Sequence, residues 1–94
     1  MKTVSIDQVK ERAEKGSPHF FDDDTIRFFK SRISETCYKI GTDIYFITSE
    51  RGPNMPRKWT VRKCDLKGDI NAVGDFQEYD NLMQARRAIK EIES

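Results

Sequence analysis

Apolar and polar positions alternate over the middle of the chain and recur at helical spacing at its two ends. The stretches 36–40, 44–49, 58–64 and 70–77 are rich in β-branched and aromatic residues, which is typical of strands. Short turns separate the first two stretches and the last two, so the pattern predicts two β-hairpins. A loop over residues 50–57, with two prolines and a glycine, connects the hairpins.

A short helix is predicted near the start of the chain, over residues 6–15. Ser5 followed by Gln8 forms a capping-box pattern, and Gly16 stands where a helix commonly ends. The narrow apolar stripe of this helix consists of Ile6, Val9 and Ala13.

A final helix is predicted after Asp80, which we interpret as its N-cap. Apolar residues then recur at helical spacing and form one face, which needs a sheet or another helix to cover it. These residues are Leu82, Ala85, Ile89 and Ile92.

The segment 19–32 concentrates four of the six phenylalanines, the only histidine and an acidic triplet. We predict a second short helix here, capped by Asp22 and anchored to the sheet by its Phe-Phe doublets. The acidic triplet 22–24 is interpreted as capping rather than metal ligation, because successive helical side chains diverge by about 100°. His19 is interpreted as a packing residue beside this helix.

These elements together predict an α+β fold in one compact domain spanning residues 1–94. Short N-terminal helices precede a four-stranded antiparallel sheet made of the two hairpins. The C-terminal helix packs on one face of that sheet, and the helices share this face.

Charge and composition narrow the classes of function. With 17 Lys and Arg against 16 Asp and Glu, the net charge is +1, which excludes an acidic DNA mimic and provides no global attraction to nucleic acid. No apolar run is long enough to span a membrane, and the first residues lack the apolar core of a signal peptide. We therefore expect a cytoplasmic protein with no membrane partner, in which Cys37 and Cys64 stay reduced.

No catalytic or cofactor-binding constellation is visible, so we expect a protein that is not an enzyme. The single histidine, His19, does not lie in a catalytic turn, and the two cysteines lack the spacing of a zinc site. Glycine-rich phosphate loops are absent from the sequence. Catalytic residues, metal and cofactor are therefore all expected to be absent.

Protein binding is the favoured class of function, with the loop 50–57 as the predicted contact surface. Residues 36–64 carry six cations against two anions, and Met55 lies between two prolines in the loop. We expect charge reversal at two of the arginines, Arg57 and Arg62, to weaken binding with little effect on stability. The edge strands leave pairing into a homodimer open as well. The predicted partner-binding residues are Arg51, Met55, Arg57, Lys58, Arg62 and Lys63.

Single-stranded nucleic acid is the alternative partner. Strand alternation places Trp59 and Val61 on one face of the sheet and Arg62 on the other. A basic outer face carrying an aromatic ring would combine phosphate contacts with base stacking. The residues expected on this face are Lys39, Tyr45, Lys58 and Arg62.

Five short segments carry a recognisable set of aromatic and strand residues: HFF at 19–21, RFFxSR at 27–32, YFITSE at 45–50, PRKWTVR at 56–62 and GDIxxVGxF at 68–76. Together they resemble a family of small uncharacterised bacteriophage and prophage proteins over most of the chain. The resemblance implies an accessory protein in the cytoplasm of a bacterial host. Such proteins often bind and redirect a host protein or protein complex, as inhibitors of CRISPR and other host defences do, or act on replication factors.

Overall fold

An antiparallel sheet forms the centre of the molecule and is covered by helices on both of its faces. The computed structural model describes residues 2–22, 32–51 and 53–93. The strands run in the spatial order β1-β3-β4-β5-β6, and β2 pairs with the end of β4 beyond β3. The elements in chain order are β1 (Lys2–Ser5), α1 (Ile6–Gly16), β2 (Arg32–Ile33), β3 (Thr36–Ile40), β4 (Asp43–Glu50), β5 (Lys58–Cys64), β6 (Ile70–Ala72) and α2 (Leu82–Glu93).

Both predicted hairpins and the α+β class are confirmed. Strands β3 and β4 pair with Tyr38 opposite Tyr45, and β5 and β6 pair with Cys64 opposite Ile70. The second hairpin is shorter than predicted, because β6 ends at Ala72 rather than at residue 77. Strand β4 also pairs with β5 along seven positions, from Ile44 opposite Cys64 to Glu50 opposite Lys58. The predicted count of four strands is wrong, since the described residues form six. The two additional strands, β1 and β2, are only four and two residues long and are ordered by pairing with longer neighbours.

The prediction that the helices share one face of the sheet is wrong, because the central strands are apolar on both sides. On β4, Ile44 and Phe46 point toward α1, whereas Ile47 points the other way, toward α2. All three side chains are at most 1% exposed. A sheet with two apolar faces needs a cover on each, since leaving either in water forfeits its burial free energy. We call the two sides the α1 face and the α2 face.

The aromatic segment closes the α1 face, as the sequence predicts for its first doublet. Phe20 and Phe21 lie edge to face at 4.9 Å between ring centroids, and their rings lie 6.0 and 6.1 Å from that of the fully buried Phe46. Such offset and edge-on geometries are favourable for aromatic pairs. The helix predicted after Asp22 lies outside the described residues. The remaining buried members of this core are Val9, Cys37, Ile44 and Cys64.

The two helices begin differently from the capping patterns in the sequence. Helix α1 starts at Ile6 as predicted, but Ser5 makes no side-chain capping hydrogen bond. Helix α2 is capped by Asn81, whose Oδ1 accepts a hydrogen bond from the Gln84 amide at 2.9 Å, rather than by Asp80. Asp80 instead pairs with Lys58. The apolar face of α2 is confirmed at Ala85 and Ile89, which are fully buried, whereas Ile92 at the end of the helix is 37% exposed.

Candidate interaction surface at the β4–β5 loop

The loop between β4 and β5 presents an exposed tip on the longest strand pair of the sheet. We call the described residues 51 and 53–56 the β4–β5 tip; all five are exposed, and Met55 keeps 59% of its surface accessible. Asn54 adopts a left-handed backbone conformation with φ of 57°, which asparagine tolerates better than most residues. The tip therefore offers a flexible apolar side chain, flanked by prolines and Arg51, directly to solvent.

The base of this loop is fixed to β4 by Arg57. Its Nη1 donates hydrogen bonds to the Ser49 carbonyl oxygen at 3.1 Å and to Ser49 Oγ at 2.9 Å. At the start of β5, Lys58 forms an ion pair with Asp80. Both predicted contact cations are thus half-buried and hold the loop ends in place, so the exposed tip rests on a fixed base.

A buried polar cluster lies below the loop on the α1 face. Glu50 is only 3% exposed, yet its Oε1 accepts hydrogen bonds from Thr48 Oγ1 at 2.6 Å and from Arg62 Nη2 at 3.2 Å. Its Oε2 accepts a hydrogen bond from Thr60 Oγ1 at 3.1 Å. We call these four residues the Glu50 cluster. A buried carboxylate is tolerated only when charge and hydrogen bonds compensate its lost hydration, and here both do.

Each threonine hydroxyl of the Glu50 cluster uses its donor and an acceptor lone pair. Thr48 Oγ1 accepts from Arg62 Nε at 2.8 Å, and Thr60 Oγ1 accepts from the Gln77 amide at 2.9 Å. No buried side-chain polar atom of the described residues lacks a partner. Both carboxylate oxygens of Glu50 and both threonine hydroxyls therefore have hydrogen-bond partners, which is typical of a structural element.

Arg62 is sealed into this cluster rather than displayed on an outer face. Its side chain is 16% exposed, and the guanidinium carbon lies 5.2 Å from the Phe20 ring centroid and 5.8 Å from that of Phe76. Cations over aromatic faces are favourably placed. The expectation that charge reversal at Arg62 would leave stability unchanged therefore conflicts with the structure, because a carboxylate there would face buried Glu50.

The structure does not assemble the predicted nucleic-acid residues on one face. Tyr45 pairs with Lys63 and lies with Val61 on the α2 face, where it is 9% exposed, so the prediction that it shares a face with Arg62 is wrong. Lys39 is opposite Ile44, whose side chain lies on the α1 face. Of the predicted partner-binding residues, Arg51 and Met55 are exposed, and Lys63 lies half-buried on the α2 face.

The described residues contain no arrangement of three or more His, Cys, Asp or Glu side chains that could hold a metal ion. His19 is exposed, and its Nδ1 lies 3.0 Å from Asp22 Oδ2. The helix beside which it was predicted to pack lies outside the described residues. Within the described ranges, neither helix is long and apolar enough to cross a membrane.

We predict that both cysteines are unreactive in the folded protein. Burial raises the pKa of Cys37 to about 12 from its usual value of 9.0, and burial is also the largest cause of the raised pKa of Cys64. Because the thiolate is the nucleophile, a disulfide-exchange reagent at pH 8 should modify neither thiol in the native state and both in denaturant. Rapid native-state labelling would contradict this prediction.

The same shifts have a consequence for stability at high pH. A raised pKa in the folded state means that folding favours the protonated thiol. The resulting contribution to the free energy of unfolding is fully present below the pKa of the unfolded chain, near 9.0. It is lost as the pH rises from there toward the pKa of the folded state, because the unfolded chain releases its thiol protons first. Replacing Cys37 by serine should remove part of this pH dependence between pH 9 and pH 12 in denaturation experiments.

A family model matches residues 5–90, which is nearly the whole chain; its description is a family of unknown function, DUF7447. The chain belongs to this family. No curated protein and no solved structure gave a match. Membership in DUF7447 thus assigns a family to the fold described above without assigning an activity to it.

The Glu50 cluster is the feature that sequence reasoning missed. Thr48 and Glu50 are two positions apart on β4, as are Thr60 and Arg62 on β5, so each pair points to the same side of its strand. The register places Thr48 opposite Thr60 and brings Arg62 within reach of Glu50. The signal in the sequence was Glu50 at the end of the uncharged stretch 44–49, together with a neighbouring strand that has Lys58, Thr60 and Arg62 at alternate positions.

Proposed function

We propose that this DUF7447 member is a non-enzymatic binding protein that contacts a macromolecular partner through the β4–β5 tip. The observation that supports this most is the contrast between the tip and its base. Met55 is 59% exposed, while Arg57 and the Glu50 cluster fix both ends of the loop. Binding surfaces are commonly displayed on loops that a rigid scaffold positions.

A protein partner fits this tip better than nucleic acid does. An exposed methionine between prolines offers adaptable apolar contact, with Arg51 available for a carboxylate. The stacking surface required for single strands is weakened, because Tyr45 is buried and Arg62 is engaged with Glu50. Binding of single-stranded nucleic acid is therefore kept as an outcome of the test.

The resemblance to phage and prophage proteins suggests where the partner comes from. We propose a host protein or protein complex of a bacterial cytoplasm, such as a CRISPR-type defence factor or a replication factor. Small phage proteins outside the virion frequently act in this way, by occupying a surface rather than by catalysis.

The proposal predicts that changing the tip abolishes partner capture without unfolding the protein. A tip variant, Arg51→Glu with Met55→Ser, should lose a discrete host protein that the wild-type protein retains from nuclease-treated bacterial lysate. Both side chains are exposed, so the thermal midpoint should change little. Capture is measured by quantitative mass spectrometry, and folding by thermal denaturation followed by circular dichroism.

The matched control changes an exposed apolar and an exposed cationic residue in another turn. Leu66→Ser with Lys67→Glu alters the same kinds of side chain between β5 and β6, where Leu66 is 62% exposed. This control should retain the captured protein. Equal capture by the tip variant, or loss of capture by the control alone, would contradict the proposal, and recovery of nucleic acid without protein would favour the alternative.

A further inference from the structure

A second surface, separate in its residues from the β4–β5 tip, lies between α2 and Tyr38 of β3. A groove of about 320 Å³ opens there, with its floor on the α2 face of the sheet. Its lining is one aromatic ring, one thioether and three cations, and we call it the α2 groove. The lining residues are Tyr38, Met83, Arg86, Arg87 and Lys90.

The charged side chains that line the α2 groove are all cations. No carboxylate is among its lining residues. Lys90 in the last turn of α2 is favoured by the helix dipole, but Arg86 and Arg87 lie mid-helix and gain little from it. Arg86 and Lys90 are also four residues apart, a like-charge spacing that slightly destabilises a helix.

Apolar surface is displayed beside these charges. Met83 is 69% exposed, more than any other large apolar side chain of the described residues, although it lies on the helix that closes the α2 face. Tyr38 is half-buried in the floor, between Thr3 of β1 and Tyr45 of β4. The groove thus combines an adaptable apolar contact with a basic rim.

An apolar contact beside a basic rim favours one of two anionic partners, an acidic peptide, over the other, nucleic acid. Nucleic acid binding usually draws on a strongly basic domain and several stacking rings, whereas this chain has a net charge of +1 and the groove has one ring. An exposed methionine contributes little to phosphate binding but suits an apolar peptide side chain. We propose that the α2 groove binds an acidic peptide segment of a partner protein, with an apolar side chain against Met83 and Tyr38 and carboxylates on Arg86, Arg87 and Lys90.

The test is a fluorescence-polarisation titration with a labelled ten-residue peptide of Glu and Asp around one central leucine. At low salt the wild-type protein should bind this probe saturably, and Arg86→Glu with Lys90→Glu should weaken binding at least tenfold. The matched control, Lys10→Glu with Lys15→Glu, reverses two exposed cations on α1 across the sheet and should bind as wild type does. Circular dichroism melting verifies that both variants are folded.

Two further comparisons separate the apolar from the ionic contribution. Met83→Ser should weaken binding of the leucine probe several-fold, and should not change binding of the same peptide with serine in place of leucine. The tip variant of the β4–β5 loop should bind the probe normally, so failure of one proposal is distinguishable from failure of the other. No saturable binding up to about 1 mM probe at low salt, unchanged affinity of the charge-reversed variant, or tighter binding of a thymidine oligonucleotide of equal charge would overturn the inference.

Discussion

Replacing Glu50 by alanine is expected to lower the free energy of unfolding by about 3–5 kcal/mol, the usual effect of removing one partner from a buried ion pair. The change leaves the guanidinium of Arg62 without its carboxylate at a site where its side chain is 16% exposed. It also removes the acceptor for both threonine hydroxyls. Urea denaturation followed by circular dichroism measures the loss directly.

Four variants control this measurement. Glu50→Gln keeps the volume and part of the hydrogen bonding, so its loss should be smaller than that of the alanine variant. Glu14→Ala makes the same truncation at an exposed position on α1 and should change stability by no more than about 0.5 kcal/mol. A double-mutant cycle is completed by Arg62→Ala and by the variant that combines it with Glu50→Ala. The stability lost by the double variant should be clearly less than the sum of the losses of the two single variants. A loss below about 1 kcal/mol for Glu50→Ala would show that the cluster contributes little.

Replacing Phe46 by alanine is expected to cost about 3–5 kcal/mol as well, through loss of buried surface and the cavity left behind. Phe46 is fully buried on the α1 face, and its ring contacts those of Phe20 and Phe21 from the preceding segment. Two aromatic rings would lose their common neighbour, and the closely packed centre of β4 has little freedom to collapse. The same urea titration measures this loss.

Phe76→Ala is the matched control for the core variant. Phe76 is 55% exposed, and its ring centroid lies 5.8 Å from the guanidinium carbon of Arg62. Its truncation should therefore cost about 1 kcal/mol or less. Similar losses for the two phenylalanines would contradict the description of Phe46 as the centre of the core. Since domains of this size are stable by about 5–15 kcal/mol, the Phe46 variant should show a visibly lowered midpoint.

The Glu50 prediction bears on function because the Glu50 cluster supports the loop from below. Glu50 is the last residue of β4, and the strand continues directly into Arg51 of the tip. A loosened Glu50 cluster would release the end of β4, and partner capture would fall together with stability. The tip variant, in contrast, should reduce capture alone, which separates a contact role from a structural one.

The periodicity of apolar positions predicted those helices and strands that bury one side and expose or pack the other. The spacing of Ala85 and Ile89 gave the buried face of α2, and the alternation around Ile44 and Val61 gave the hairpins. Strand β1 was missed because Lys2–Ser5 has only one half-buried position, Val4, and depends on pairing with β3. Local patterns describe single elements well, but a pairing between distant segments has no local signal.

The two faces of the sheet and the location of the site residues depend on tertiary structure. Alternation along β5 correctly predicted that Arg62 and Val61 point to opposite faces of the sheet. It could not predict whether the face of Arg62 meets water or the aromatic rings that it does meet. Tyr45 was misplaced because the register between β4 and β5 sets its face, and register is a non-local property. The exposed Arg51 and Met55 were predictable, since the prolines of the loop exclude them from the sheet.

Site-specific photo-cross-linking tests the central claim, that the β4–β5 tip contacts a protein partner, most directly. A photo-reactive phenylalanine analogue replaces Met55 in one protein and Leu66 in another, both exposed, and each is irradiated in nuclease-treated bacterial lysate. We predict a discrete cross-linked host protein from position 55 and none from position 66. Cross-links of equal yield from both positions, or none from position 55 while the wild-type protein still captures its partner, would contradict the claim.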